Sequence, residues 1–515
     1  MYPPGARRAS SELTRPVPVQ RECPRGEGRL TGKARRHYAD RMQPRHKRLL
    51  RRVAGTAATV LVLLATAGCA TPRSEITQSD PTEIVRRLAA PEFDGRLTGT
   101  EGNLAAARYL ENELRGLGLT SPFGGSMLEW YKQPVLVPES APEFFAVGAE
   151  GTTVAFEPGS DFAVTVRDGL SATGAVEAFL AVPPEETLTH TWAREHRGQA
   201  LLIGAERFER AAQNEELISV LFAPHDPPTL IVLVLPPEVE RLQRGVFLPQ
   251  GTGDADGTPD SDKQPPFMVQ VTSRTAEKLV QMENPRIRLT ADYSVRTAEV
   301  PNVVAEVAEG PDLPPVIVTA HFDGQGRVGQ ALFPGAADNA GGVAAALAVA
   351  GRLRELWFGQ TPASAPASAA ASTTSRRPVW IVLFNGEEQG FFGSAAFVRE
   401  HRSELAGADV INLDMVGHDT TGSLEVTAAP DSESLVGRVT EAITEAGFDT
   451  HTHIGGGSDH ASFARVAQAV SLIQAPYRMM HTVEDTPEMI DPELLNRIVD
   501  MVIEVVADLS QPRNE

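Results

Sequence analysis

The feature that most constrains the fold is an apolar, β-branched run at residues 316–320, which ends abruptly at His321 and Asp323. A continuous apolar run bounded by a Gly-rich loop predicts a strand buried on both faces of a sheet. Asp338 stands just before an Ala-rich helical pattern at residues 342–356. A histidine and two carboxylates are therefore expected where a strand ends and a helix begins, the usual place for ligands in open α/β sheets.

Three further apolar runs end in the same way. Residues 379–384 lead to Glu387 and Glu388, residues 409–413 end at Asp414, and residues 469–475 are followed shortly by His481. If the four runs are neighbouring parallel strands of one sheet, the polar residues at their ends all lie at the same carboxyl edge of that sheet. The predicted fold class is α/β with a mostly parallel, doubly wound sheet.

The side chains gathered at this edge are two histidines and several carboxylates, which suits a pair of zinc ions that share one carboxylate. One glutamate of the pair Glu387 and Glu388 would then be free for proton transfer. Asp323, two residues beyond His321, is expected to hold the other ring nitrogen of that histidine.

A chain of 515 residues is too long for one ordinary domain. Residues 77–130 are predicted to form the first part of the α/β domain, and residues 297–510 its main part. Between them, residues 131–296 consist of short β-like runs separated by Gly, Pro and acidic residues, which predicts an inserted β-rich domain. Residues 250–266 and 361–377 are predicted to be polar loops.

The amino-terminal segment has the composition of an export signal. Residues 1–41 are expected to be disordered or untranslated, with Met42 as the true start. Residues 42–68 have a basic region and a short apolar region, the layout of a signal peptide. The segment resembles a bacterial lipoprotein signal, which implies membrane attachment through a lipidated Cys69 and a periplasmic or cell-envelope location. An ordinary cleaved signal, with Cys69 incidental, is the alternative.

The charge distribution and the cysteines narrow the possible partners. The first 68 residues hold fifteen Lys and Arg against four Asp and Glu, so the rest of the chain is more acidic than the formal net charge of −20. This balance argues against nucleic acid as a partner, because phosphate binding needs a basic surface. Cys23 and Cys69 are the two cysteines, so the chain after the signal has no internal disulfide.

Seven motifs in order carry a family resemblance. They are EFDGRLTGTEG at 92–102, HFD at 321–323, GAADNAGG at 335–342, NGEEQGFFGS at 385–394, NLDMVG at 412–417, GGSDHASF at 456–463 and HTVEDT at 481–486. Together they resemble the motifs of the M28 family of co-catalytic zinc aminopeptidases. The resemblance implies the zinc-peptidase fold, two Zn²⁺ ions per chain and peptide substrates, with the insertion similar to a protease-associated domain.

The resemblance also implies a role for each site residue. Asp338 would bridge the two metals, His321 and Asp414 would complete one site, and Glu388 and His481 the other. Glu387 would be the general base.

Alternatives remain at this stage. The same fold serves carboxypeptidases and glutaminyl cyclases, and metal-free relatives act as receptors. His460 is expected to line the site or to pack its own loop, and Tyr477 to bond an oxyanion or to fill the strand end. Asp485 is interpreted as part of a helix start.

Overall fold

The structure is a computed structural model. It describes residues 80–149, 151–167, 174–183, 189–212, 230–236, 242, 245–247, 267–359, 376–418, 422–475 and 477–511. The predictions for residues 1–41, for the signal at 42–68, for Cys69 and for the loop at 250–266 lie outside these residues, as does nearly all of the loop at 361–377.

The first sheet has eight strands, numbered along the chain. In spatial order they are β1 Leu128–Pro138, β11 Tyr293–Ala308, β15 Val379–Phe384, β12 Val316–His321, β16 Asp409–Asp414, β19 Gln468–Ile473, β17 Glu425–Ala428 and β18 Thr452–Ile454. The four neighbours β15, β12, β16 and β19 run parallel to one another. These are the four apolar runs predicted from the sequence, and the predicted α/β fold class is confirmed.

Helices cover both faces of this sheet. The helices of the described residues are α1 Pro81–Leu88, α2 Glu101–Gly116, α3 His190–Glu195, α4 Ala205–Ala212, α5 Ser273–Gln281, α6 Gly342–Phe358, α7 Phe392–Glu400, α8 Glu433–Glu445 and α9 Pro492–Leu509. Along β12, Val316 and Val318 pack into one core with α6 and α9, while Ile317 packs into a second core with Phe397 of α7. Burial on both faces explains why apolar residues occur on both faces of these strands instead of alternating with polar ones.

The second sheet has nine strands. In spatial order they are β3 Thr153–Phe156, β2 Glu143–Val147, β10 Arg286–Ala291, β5 Gly174–Ala181, β6 Ala200–Gly204, β7 Leu230–Val234, β9 Phe267–Val271, β4 Phe162–Arg167 and β8 Gly245–Phe247. Its core contains Phe144, Phe156 and Phe162. All nine strands lie within the segment predicted to be an inserted β-rich domain. A separate two-stranded ladder pairs β13 Arg327–Val328 with β14 Ala331–Leu332, after β12.

Two long strands connect the sheets. β1 and β11 pair without interruption from Leu128 opposite Val303 to Pro138 opposite Tyr293. Val303 belongs to the core of the first sheet and Tyr293 to that of the second. The predicted boundaries at residues 130–131 and 296–297 therefore fall inside a continuous ladder. Among the described residues, no helix combines the length and apolar character needed to cross a membrane.

Candidate metal centre

The carboxyl ends of four adjacent strands carry the candidate ligands. His321 is the last residue of β12 and Asp414 the last of β16, while Glu388 follows β15 and His481 follows β19. Asp338 comes from the irregular turn Ala336–Gly341 that precedes α6. The structure therefore brings together all five residues predicted as metal ligands.

These five residues form two groups that share Asp338. One group is His321, Asp338 and Asp414, the other is Asp338, Glu388 and His481, and the ligand atoms within each lie within 4.8 Å of one another. The Nε2 atom of His321 lies 3.3 Å from Oδ1 of Asp338 and 3.4 Å from Oδ1 of Asp414. The other oxygen of Asp338, Oδ2, lies 3.1 Å from Nε2 of His481. Each oxygen of Asp338 thus faces a different histidine.

The spacing of the atoms around His321 fits a metal better than it fits hydrogen bonds. Donor atoms on one tetrahedral zinc with bonds of about 2.0–2.2 Å stand about 3.3–3.6 Å apart. The distances from His321 fall in that range, and a single imidazole N–H cannot donate to both carboxylates. In the second group, Nε2 of His481 lies 2.9 Å from Oε2 of Glu388, slightly closer. Oε1 of Glu388 is buried and has no hydrogen-bond partner among the described residues, so it is available as a ligand.

The electrostatics of the cluster favour a cation. Burial opposes the charge of Asp338, but His321 and His481 outweigh this effect and hold the pKa of Asp338 below its usual range. Burial alone would lower the pKa of His321 and His481, yet the surrounding carboxylates raise the pKa of both imidazoles well above the usual value. The cluster therefore attracts positive charge, which divalent metal ions would supply.

Glu387 lies beside the cluster but belongs to neither group. Its Oε2 atom is 3.9 Å from Nε2 of His321, and the residue is 9% exposed. Burial raises the pKa of the Glu387 carboxyl well above its usual value, and nearby Asp414 and Asp459 act in the same direction. Gly386, just before it, has a φ of +74°, and a Cβ there would approach Gln133 to 2.2 Å. The positive φ favours glycine at this turn, and a larger residue would also displace the end of the Gln133 side chain.

Asp323 has a different set of contacts from the one expected. Its Oδ1 lies 3.6 Å from Nδ1 of His321, which is too long for a hydrogen bond. The carboxylate instead accepts hydrogen bonds from the backbone N–H groups of Glu387 at 3.2 Å and Glu388 at 3.3 Å. The hydroxyl of Thr98 also donates to it, at 2.9 Å. Asp323 thus fixes the loop that carries the two glutamates.

Arg96 connects the loops that carry His321 and Asp338. It is fully buried, and its guanidinium donates hydrogen bonds to the carbonyl oxygens of Leu88, Phe322, Pro334 and Gly335. Arg96 was not predicted to have a role, because its partners are backbone atoms, three of them in distant segments. The turn EFDGRLTGTEG, which the family resemblance includes, was the available signal.

Three further residues are placed by the structure. Nε2 of the buried His460 contacts the carbonyl of Gly455 at 3.1 Å, so His460 packs its own loop. The Tyr477 hydroxyl donates to Asp485 at 2.8 Å. Asp485 is 1% exposed, and it lies just before Thr486, the N-cap of the short helical turn Pro487–Met489.

Asp459 was not identified from the sequence, although its neighbour His460 was. It is completely buried, and neither carboxylate oxygen has a hydrogen-bond partner among the described residues. Burial raises the pKa of Asp459 to about 7, with Asp323 and Asp414 acting in the same direction. The site therefore contains more carboxylates than its ligand set needs.

Comparisons with known proteins agree with this geometry. The family model described as Peptidase family M28 matches residues 302–506, which include all five candidate ligands. No curated protein matches the chain.

Several solved structures are similar in fold. An aminopeptidase from Aneurinibacillus sp. strain AM-1 is 19% identical with a TM-score of 0.54, covering 85% of this chain and 95% of that chain. A zinc aminopeptidase from Bacillus subtilis is 19% identical with a TM-score of 0.55, covering 85% and 96%. A peptidase M28 precursor from Shewanella amazonensis is 18% identical with a TM-score of 0.59, covering 85% and 94%. At these identities the similarity concerns the fold alone.

Proposed function

We propose that the chain is a zinc-dependent aminopeptidase that removes amino-terminal residues from peptides, since the Peptidase family M28 model matches residues 302–506. The observation that carries the proposal is the pair of ligand groups that share Asp338. Such a pair of groups, built from two imidazoles and three carboxylates, suits two zinc ions. The zinc aminopeptidase from Bacillus subtilis with the same fold supports this choice.

In the proposed arrangement, His321, Asp338 and Asp414 hold one ion, and Asp338, Glu388 and His481 hold the other. Bound zinc supplies a Lewis acid that polarises the substrate carbonyl and lowers the pKa of water. The chain itself supplies an enclosed, carboxylate-rich site, since the ligand residues other than His481 are each less than a tenth exposed.

Glu387 is the residue proposed to move protons. It lies next to the cluster without belonging to a ligand group, so its carboxylate is free to act on water. In this role, Glu387 takes a proton from the attacking water and delivers it to the nitrogen of the leaving amine as the peptide bond breaks. Asp323 and Thr98 fix the backbone of Glu387 and thereby its distance from the reacting atoms.

The charge around the site favours an amino terminus over a carboxyl terminus. Burial favours the neutral form of the Glu387 and Asp459 carboxyls. A substrate α-ammonium group would favour their ionised form and be attracted to it, whereas a substrate carboxylate would be repelled by any negative charge they carry. A carboxypeptidase would need a free cation to bind the substrate carboxylate. The buried cation Arg96 already donates to four backbone carbonyls.

Export and membrane attachment complete the proposal. A lipidated Cys69 would place the enzyme at the cell envelope, as the basic and apolar regions at 42–68 suggest. Metabolic labelling with a fatty-acid analogue should mark the wild-type protein, and the Cys69→Ser variant should remain unlabelled. Equal labelling of both proteins would contradict lipidation at this cysteine.

The central experiment is a hydrolysis screen with chelator and with zinc added back. Aminoacyl anilides and peptides with free amino termini should be cleaved, whereas N-acetylated peptides should not. Chelation should abolish the cleavage, and close to two equivalents of zinc should restore it. Cleavage from the carboxyl terminus, or cyclisation of amino-terminal Gln without hydrolysis, would replace the proposed reaction. Zinc binding far below one equivalent would revive the metal-free alternative.

A further inference from the structure

Asp485 connects the loop of one ligand to the turn of another. It follows His481 by four residues, and it binds three consecutive backbone N–H groups of the turn that carries Asp338. Its carbonyl oxygen accepts from Ala336 at 3.1 Å. Its carboxylate accepts from Ala337 through Oδ1 at 2.7 Å and from Asp338 through Oδ2 at 3.0 Å.

These contacts satisfy donors that the backbone cannot satisfy locally. The turn Ala336–Gly341 is not regularly helical, since Asp338 and Asn339 depart from helical φ and ψ. N–H groups at the start of a helix have no intrahelical acceptor in any case. Because the turn is fully buried, water is not a convenient substitute, and a carboxylate with two oxygens matches two adjacent donors.

Tyr477 also holds the Asp485 carboxylate. The Tyr477 hydroxyl donates to Oδ1 of Asp485 at 2.8 Å. The chain between Tyr477 and Asp485 includes His481, so the segment that carries this ligand is fastened at both ends to one side chain.

We infer that Asp485 is a positioning residue that sets the separation of Asp338 from His481, and with it the fit of both metal groups. This inference rests on the proposed function, because Asp338 belongs to both groups. Asp323 links the other pair of segments by the same device, since it accepts from Glu387 and Glu388. Each of two carboxylates outside the ligand set thus connects the loop of a histidine ligand to the backbone of an acidic ligand.

The variant Asp485→Asn tests the inference, since it keeps the size of the side chain but turns one acceptor into an N–H donor. Zinc affinity of the full chain, measured by competition with a chromogenic chelator, should fall about 10–100-fold, the usual loss for groups that orient metal ligands. Excess zinc should restore most of kcat, because the side chain does not touch the substrate. A purely structural role in stability would leave zinc affinity unchanged in the folded protein.

A second readout needs no metal. In the zinc-free protein, amide hydrogen exchange over residues 336–342 should be faster in Asp485→Asn than in the wild type, because the Asn side chain keeps one acceptor oxygen and one of the two buried N–H groups therefore loses its acceptor and faces an N–H donor. Should this variant fail to fold, Asp485→Glu keeps the charge but changes the reach, and the same losses of affinity and protection are expected from it.

Asp491 provides a matched control. It also accepts two backbone N–H groups, those of Glu493 at 2.8 Å and Leu494 at 3.1 Å, but as the cap of α9. Asp491→Asn should keep wild-type zinc affinity and wild-type exchange at residues 336–342, since Asn caps a helix nearly as well. Unchanged affinity and exchange in Asp485→Asn would overturn the inference, whereas a wild-type protein without zinc affinity would overturn the proposed function instead.

Discussion

The two sheets of the molecule both contain a run of four parallel strands, but they differ in the connections that leave the carboxyl ends of those strands. In the first sheet, twenty residues separate the end of β12 from the start of α6, and they include Asp323 and Asp338. In the second sheet, α4 begins at Ala205, directly after the last residue of β6. Among the described residues, the side-chain groups that could hold a metal ion are the two at the first sheet.

This difference shows that a set of parallel strands does not by itself make a metal site. The residues in the connections after the strands provide the candidate ligands. A long connection can fold back and place its carboxylates over the strand ends. A helix that begins at once covers its strand and leaves no room for them. The first sheet should therefore control turnover and the second sheet should control only stability, which variants can test.

The largest expected effect is that of Asp338→Ala. Both ligand groups lose the residue that they share, so both zinc ions should be lost and turnover should fall to background. Metal analysis after gel filtration and an anilide assay measure the two losses. Retention of two zinc ions would contradict the sharing of Asp338, while circular dichroism should show both sheets intact.

Glu387→Gln should reduce turnover by about 10²–10⁴-fold, the usual contribution of a general base. Zinc content should remain that of the wild type, because Glu387 belongs to neither ligand group. Initial rates at saturating substrate, with metal analysis on the same sample, measure both quantities. Wild-type turnover in this variant would show that another residue moves the proton.

Thr98→Val should have an intermediate effect. The Thr98 hydroxyl contacts Oδ2 of Asp323 at 2.9 Å and Oδ1 of Asn385 at 3.0 Å, and its loss leaves Asp323 with fewer donors. Turnover should fall about 10–100-fold, as for other groups that orient active-site ligands. Thr98→Ser keeps the hydroxyl and is expected to remain near wild type. Equal rates for the Val and Ser variants would remove Thr98 from the supporting network.

The smallest effect on turnover is expected from the second sheet. Phe144 is fully buried, and its ring lies 5.2 Å from the rings of Phe156 and Phe162. Phe144→Ala should lower the free energy of unfolding by about 3–5 kcal/mol, with unchanged turnover per folded molecule. Urea unfolding and active-site titration separate the two quantities. The exposed Val280→Ala on α5 is the control, with an expected change within about 0.5 kcal/mol. A large loss of turnover per folded molecule in Phe144→Ala would contradict the prediction that the second sheet affects stability alone.

Much of the fold followed from local patterns in the sequence. Strands such as β12 and β15 were predictable because burial on both faces leaves an uninterrupted apolar run. The ligands His321 and Asp414 were predictable because each ends such a run, and parallel strands share one carboxyl edge.

Residues that act through backbone atoms of distant segments were not predictable in the same way. Asp485 resembles an ordinary residue at a helix start, and its bonds to Ala337 and Asp338 span 148 and 147 residues. Asp323 was predicted to orient His321, but its contacts to Glu387 and Glu388 depend on a strand that is adjacent in space and remote in sequence. Neither the periodicity nor the composition of a sequence indicates such contacts between a side chain and the backbone of a distant segment.

The buried guanidinium of Arg96 has a consequence for biosynthesis. Its partner Gly335 lies 239 residues later in the chain, and closing so long a loop is slow compared with local folding. When Arg96 leaves the ribosome, the carbonyls of the second half that it binds have yet to be translated. The helices on either side, α1 and α2, therefore cannot bury their apolar faces against the first sheet until the later strands of that sheet have emerged from the ribosome.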